Sequence, residues 1–220
     1  MAWLAALLRP NRFRGVIGLS VPHRPRVEVR PTTVMPQTED AVFYQLYFQT
    51  PGVAEAEFER DTRATIRAVL YWGSGDARRN LHDSMAGLRF MVPRNGGWLA
   101  NRPNPASLPT WLSETDVDHY VREFTRTGFA GRLNWYRNID RNWELLRPLA
   151  GAQVKVPALY IAGDRDVVIS FPDMDKLIPN LSAFVPHLRG TIMLSGCGHW
   201  TQQERAQEVN DAMVEFLRAL

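Results

Sequence analysis

Two segments in the last third of the chain constrain its fold more than any others. Val156-Pro157-Ala158-Leu159-Tyr160-Ile161-Ala162-Gly163 is an apolar run that ends in Asp164-Arg165-Asp166. The run Thr191–Leu194 leads into Gly196-Cys197-Gly198-His199-Trp200-Thr201-Gln202. Each reads as a strand followed by a loop that presents one residue of catalytic type, first Asp166 and then His199. Runs without polar alternation suit parallel strands buried on both faces. In open α/β sheets, catalytic loops gather just beyond the carboxyl ends of such strands. An acid that orients a histidine fixes its tautomer and stabilises the imidazolium formed when it takes a proton. Either residue alone reads equally well as a turn cap or a satisfied loop histidine. The pair, in order and each at a strand end, favours the catalytic reading. Asp164 competes for the acid role but sits closer to the strand.

At 220 residues the chain can bury one core, or one core with a small appended layer. Its 26 Lys and Arg against 23 Asp and Glu give a net charge of +3, too small and too scattered to suggest nucleic acid. The single cysteine, Cys197, rules out an intramolecular disulfide and points to a reducing, cytoplasmic setting. In its Gly-flanked loop it reads as a small filler, since a reactive thiol needs an electropositive pocket and a base. Met1–Leu8 lacks the basic start and cleavage site of a signal peptide. Trp3, Leu4, Leu7 and Leu8 share one helical face, which predicts a packed helix over Ala2–Leu8. No apolar stretch approaches bilayer length, so no membrane is implied.

Residues 15–21 read as a short buried strand, and Pro22, Pro25, Pro31 and Pro36 as a linker leaving the sheet. From about Gln37 to about Ala150 the pattern is helical, with no convincing strand. One amphipathic helix is predicted from Val53 to about Tyr71, with Phe58, Ile66, Val69 and Leu70 inward. Another starts at Ser113, with Asp116 as a capping-box partner, and stops near Gly128. A third covers Leu133 to Leu146, and the Gly-, Pro-, Asn- and Arg-rich stretch from Gly73 to Pro109 reads as loop. A last helix uses Val209, Met213, Phe216, Leu217 and Leu220. The expectation is an α/β protein whose parallel sheet comes from residues 1–36 and 151–220, with residues 37–150 as an all-helical insert. The insert carries two tyrosine segments, Phe43-Tyr44-Gln45-Leu46-Tyr47-Phe48 and Leu133-Asn134-Trp135-Tyr136-Arg137-Asn138. A phenol can donate a hydrogen bond to a developing alkoxide, or simply fill the insert's core; periodicity does not decide between them.

Together, Tyr44–Gln49 with Pro51-Gly52-Val53-Ala54-Glu55, Leu133–Asn138 and Cys197–Gln202 resemble the corresponding segments of soluble epoxide hydrolases, which are α/β-hydrolases with a helical cap. The resemblance covers essentially the whole chain. It implies that Tyr44 and Tyr136 hydrogen-bond the epoxide oxygen, that His199 activates water, and that Asp166 orients His199. Phe43, Gln45 and Trp135 would line or support the pocket. The implied reaction has two steps: an aspartate opens the epoxide to a glycol ester, and a His-activated water hydrolyses that ester to a vicinal diol. No metal or organic cofactor is implied, and the partner is a small-molecule epoxide.

The same resemblance exposes a departure. The family carries a His-Gly-x-Pro motif and a Gly-x-Asp-x-Gly elbow that bears the nucleophile. Neither occurs in this sequence. Gly18-Leu19-Ser20 is half of a Gly-x-Ser-x-Gly elbow, but Pro22 stands where the second Gly belongs and no helix follows. The nucleophile is therefore absent from the chain, which is expected to be inactive alone. Its helix Ala2–Leu8 resembles the one that directly follows the elbow, so the reading frame is expected to continue upstream. The alternatives are a non-catalytic, ligand-binding pseudoenzyme and a truncated dehalogenase or esterase; a halide leaving group, however, needs no phenol proton. A bare edge on the Val16–Val21 strand would recruit other chains, a homodimer included.

Overall fold

The computed structural model describes residues 1–77, 90–102 and 104–220. The elements run α1 (Ala2–Leu8), β1 (Val16–Leu19), β2 (Ala41–Phe43), α2 (Tyr44–Tyr47), α3 (Val53–Glu59), α4 (Thr62–Gly73), β3 (Met91–Pro93) and α5 (Glu114–Thr127). They continue through α6 (Ala130–Arg137), α7 (Ile139–Leu145), β4 (Ala158–Gly163), α8 (Met174–Leu177), β5 (Leu188–Leu194), α9 (Thr201–Glu204) and α10 (Ala206–Arg218). They form two units. The first comprises Met1–Arg26, a short segment from Gly73, and Leu149–Leu220; the second comprises Val27–Trp72 and the later stretch that ends at Pro148.

The first unit is built on a parallel sheet of order β1-β4-β5. The central strand β4 is buried at all six positions, which is why its sequence shows no polar alternation. Its residues still alternate between faces. Ala158, Tyr160 and Ala162 join Trp3, Ala6, Val16, Val154, Val156, Leu181 and Val185 in one core. Leu159 and Ile161 join Leu194, Cys197, Val209 and Phe216 in the other. A fully buried side chain such as Ile161 contributes about 1.5–3 kcal/mol relative to an exposed one. The two layers together hold the carboxyl ends of β4 and β5 in register, with Ala162 opposite Met193 and Gly163 opposite Leu194.

The second unit is helical around an aromatic core, in which the Phe58 ring packs against Phe48, Trp98 and Phe129 at centroid distances of 5.9, 5.7 and 5.4 Å. The expectation of an all-helical insert needs one correction. β2 and β3 pair antiparallel, Ala41 with Pro93, Val42 with Val92 and Phe43 with Met91. Three-residue strands are too short for a period-two signal, and Met91 and Val92 are both buried. The single helix expected from Val53 to Tyr71 is two, α3 and α4, because Asp61 Oδ1 accepts from Ala64 N at 2.9 Å and starts a new helix. Likewise α6 and α7 are separated at Asn138. The capping box of α5 is present: Ser113 Oγ accepts from Asp116 N, and Asp116 Oδ2 accepts from Ser113 N at 2.9 Å.

The boundaries also differ from those read in the sequence. The Pro-rich linker belongs to the second unit from Val27 onward. Trp143 Nε1 donates to Val27 O at 2.7 Å, and Arg30 pairs with Asp140 and Glu144. Of the stretch expected as loop, residues 78–89 and 103 lie outside the described residues. The segment from Gly73 belongs to the first unit, while Met91–Pro93 is a strand and Leu99–Asn101 a 3-10 turn. Among the described residues, no helix is long and apolar enough to cross a membrane.

Candidate active site

Asp166 stands three residues beyond β4 and is fully buried. Its carboxylate caps the following turn, with Oδ1 accepting from Val168 N at 2.8 Å. The same carboxylate meets His199 Nδ1, at 3.0 Å from Oδ1 and 3.1 Å from Oδ2. An ionised carboxylate only accepts, so the shared proton sits on Nδ1 and the lone pair of the neutral ring lies on Nε2. The ring is 27% exposed, which leaves it open to water. Asp164 is used otherwise: its Oδ1 accepts from Gly196 N at 2.7 Å and ties the two strand-end loops together. The acid beside the histidine is Asp166.

The loops are pressed together by backbone contact. A Cβ on Gly163 would lie 2.1 Å from Cys197 O, so a larger residue there displaces the segment that leads to His199. The Cys197 thiol is fully buried and sits in the core under α10; burial, followed by the neighbouring Glu204 charge, pushes its pKa up to about 12. That environment suits the packing role expected of it and not a nucleophile.

Ser20, rejected above as a nucleophile, has a structural duty the sequence did not reveal. It directly follows β1 with φ +63° and is buried, and its Oγ donates to His199 O at 2.6 Å. Tyr160 Oη donates to Ser20 O at 3.0 Å. A non-glycine residue in the left-handed region is uncommon and is held there by its surroundings. The half-elbow pattern was its only trace in the sequence.

In the second unit, Tyr44 begins α2 and Tyr136 lies on α6. Their rings meet edge to face at 5.6 Å, and their side chains are hydrogen-bonded to each other. Gln45 Nε2 donates to Tyr44 Oη at 2.8 Å. A phenol has one proton to give, so the bond within the pair uses only one of the two phenol protons and leaves the other for another acceptor. Burial raises the Tyr136 pKa and outweighs the opposing Tyr44 hydrogen bond, so the phenol is protonated at neutral pH. Gln49 Nε2 donates to Tyr136 O at 2.9 Å, and Arg137 Nε donates to Phe48 O at 3.0 Å; both link α6 to the segment that carries Tyr44. The Phe43 ring packs on Tyr44 at 4.8 Å. Trp135 differs from these side chains in being 60% exposed. Among the described residues, no group of three or more His, Cys, Asp or Glu is placed to hold a metal ion.

No protein-family profile matches the chain. It is 42% identical over 221 residues to epoxide hydrolase A of Mycobacterium tuberculosis, a match that covers all of this chain and 66% of that protein. It is 32% identical to epoxide hydrolase B of the same organism, covering all of this chain and 69% of that protein. Among solved structures, an epoxide hydrolase from an endophytic Streptomyces superposes with a TM-score of 0.89 at 43% identity, over 99% of this chain and 64% of that one. The chain thus spans about two thirds of the length of these relatives.

Proposed function

Since the chain belongs to the epoxide hydrolase family, we propose that it carries the water-activating and epoxide-polarising residues of an enzyme that converts a small-molecule epoxide to a vicinal diol. His199 takes a proton from water at Nε2, and Asp166 stabilises the resulting imidazolium. The hydroxide so formed attacks the carbonyl carbon of a glycol ester and releases the diol. The Tyr44–Tyr136 pair donates to the epoxide oxygen as the epoxide C–O bond breaks, and Phe43, Gln45 and Trp135 support the substrate. The observation that carries this reading is the 3.0 Å contact between His199 Nδ1 and a fully buried Asp166 carboxylate. The paired, protonated tyrosines favour an epoxide over an organohalide, whose leaving group requires no proton.

The ester needs a nucleophilic carboxylate, and no Gly-x-Asp-x-Gly segment occurs in the sequence. We therefore propose that this chain alone does not turn over, because loss of the nucleophile removes covalent catalysis outright. A cytoplasmic setting completes the proposal. The test is diol formation from a styrene-oxide-type substrate. The purified chain should give none. Co-expression with the part of M. tuberculosis epoxide hydrolase A that precedes the aligned region should supply the elbow and restore activity, and His199→Ala should abolish it. Turnover by the chain alone that His199→Ala removes would reveal a nucleophile elsewhere in the sequence. Restored turnover indifferent to His199→Ala would remove the role given to His199.

A further inference from the structure

We infer that Glu204 is the positioning residue of the histidine loop: its buried carboxylate gathers three backbone N–H groups, two of them from Gly198 and Trp200, the residues on either side of His199. The inference rests on the reading of His199 as the water-activating base.

Glu204 is 7% exposed and closes the short helix α9. Its Oε2 accepts from Gly198 N and from Gly75 N, each at 2.8 Å, and its Oε1 accepts from Trp200 N at 3.0 Å. Gly198 and Trp200 flank His199. His199's own N donates to Gly73 O at 2.8 Å, and its carbonyl accepts from Ser20 Oγ. Gly198 N, His199 N, His199 O and Trp200 N are thereby each held, two of them by one carboxylate.

The arrangement depends on glycine. A Cβ on Gly198 would lie 2.4 Å from Gly75 N, and one on Gly75 would lie 2.1 Å from Gly196 O. Only bare backbone lets residues 73–75 and 196–198 approach closely enough for N–H groups 123 positions apart to converge on one carboxylate. A buried carboxylate is costly unless its oxygens are hydrogen-bonded. Three N–H donors meet that need and also fix the loop. A glutamine keeps the shape but loses one acceptor oxygen, and its amide hydrogens would face a backbone N–H. The predicted failure is therefore specific: the fold persists and the loop around His199 loosens.

The test follows the His199 Nδ1–H proton by NMR in the full-length chain. In the unaltered protein it should resonate downfield, and Asp166→Asn should remove it. Glu204→Gln should broaden it beyond detection, through exchange with water accelerated about tenfold or more, the worth of one lost charge-assisted hydrogen bond. The Trp3 indole N–H, bonded to Val21 O in the same unit, should keep its position, as should both signals in Glu208→Gln. A general loss of stability would move the Trp3 signal too, so the contrast separates positioning from structural support. A sharp Nδ1–H signal with unaltered exchange in Glu204→Gln overturns the inference and leaves the proposed function standing. Absence of an Asp166-dependent signal in the unaltered chain removes the His199 reading and this inference with it. Should Glu204→Gln fail to fold, amide exchange in the unaltered protein decides. Gly75, Gly198 and Trp200 must be protected like strand amides, and loop-like exchange at these three would refute the convergence.

Discussion

The pair Glu55–Arg137 offers the sharpest test of how the tyrosine-bearing unit is held. Glu55 Oε1 lies 2.7 Å from Arg137 Nη2, with the side chains only 12% and 13% exposed. Glu55 Oε2 accepts from Gly52 N at 2.9 Å, and Arg137 also donates to Phe48 O at 3.0 Å and to Asn134 Oδ1 at 3.1 Å. Removing one member of a buried, hydrogen-bonded pair leaves an uncompensated charge and costs about 3–5 kcal/mol. Arg137→Met is therefore expected to lower stability by that amount, and Glu55→Gln by somewhat less because it keeps the shape. The double variant should be about as unstable as Arg137→Met alone, since the two losses are shared. Urea unfolding monitored by tryptophan fluorescence measures all three. The pH dependence has a defined sign. Burial opposes charge on Glu55, but the hydrogen bond from its own backbone N–H, Arg137, and the Gly52 N–H outweigh it and hold the pKa below the usual value. A depressed folded value adds stability above the unfolded glutamate pKa of about 4.3. That increment is lost as pH falls through the lower folded value. The gap between the unaltered chain and Glu55→Gln should thus be present at pH 7 and close on acidification. Single-variant losses below about 1 kcal/mol, the range of an exposed pair, or a gap that widens in acid would refute the reasoning.

Two further outcomes follow from the first unit. Gly163→Ala places a Cβ 2.1 Å from Cys197 O, a backbone atom with no rotamer to yield, and should cost about 2 kcal/mol or more in thermal unfolding; a melting curve matching that of the unaltered chain would mean the two loops are not in contact. Cys197, buried and with a pKa pushed up to about 12 by burial first and then by Glu204, should react with a thiol reagent at neutral pH only as fast as the unit opens, with full reaction in urea.

What the sequence revealed and what it hid divide along physical lines. β4 was legible because burial on both faces leaves an uninterrupted apolar run, and α5 because Ser113 and Asp116 mark its start within four residues. Local signals of this kind need no knowledge of the fold. The ribbon β2–β3 was hidden because three residues carry no period, and because the partners Val42 and Val92 are far apart in the chain. The break between α3 and α4 was masked by inward-facing residues that continue through it. Of the candidate site, the pairing of Asp166 with His199 was legible because strand ends display both residues. The duties of Ser20 and Glu204 were not, because their partners, His199 O and Gly75 N, are 179 and 129 positions distant. A serine at a strand end or a glutamate in a short helix looks ordinary until those backbone groups arrive.

The same distinction accounts for how Asp166 and His199 come to fit each other. Asp166 caps the turn after β4 through Val168 N and would stand there for local reasons alone. Its second role, toward His199 Nδ1, requires the β5 loop to deliver an imidazole within 3.0 Å of a carboxylate fully shielded from water. A ring on a free loop would lose much of that contact to motion, since each fixed backbone residue gives up about 1–2 kcal/mol of conformational entropy. Here that cost is offset within the fold itself. Gly73 O, Ser20 Oγ and the Glu204 carboxylate hold the backbone of residues 198–200, and the parallel sheet fixes where the loop begins. The imidazole is therefore held with Nδ1 directed at Asp166 and the ring partly exposed, so that under the proposed function proton abstraction at Nε2 would require no rearrangement of the loop.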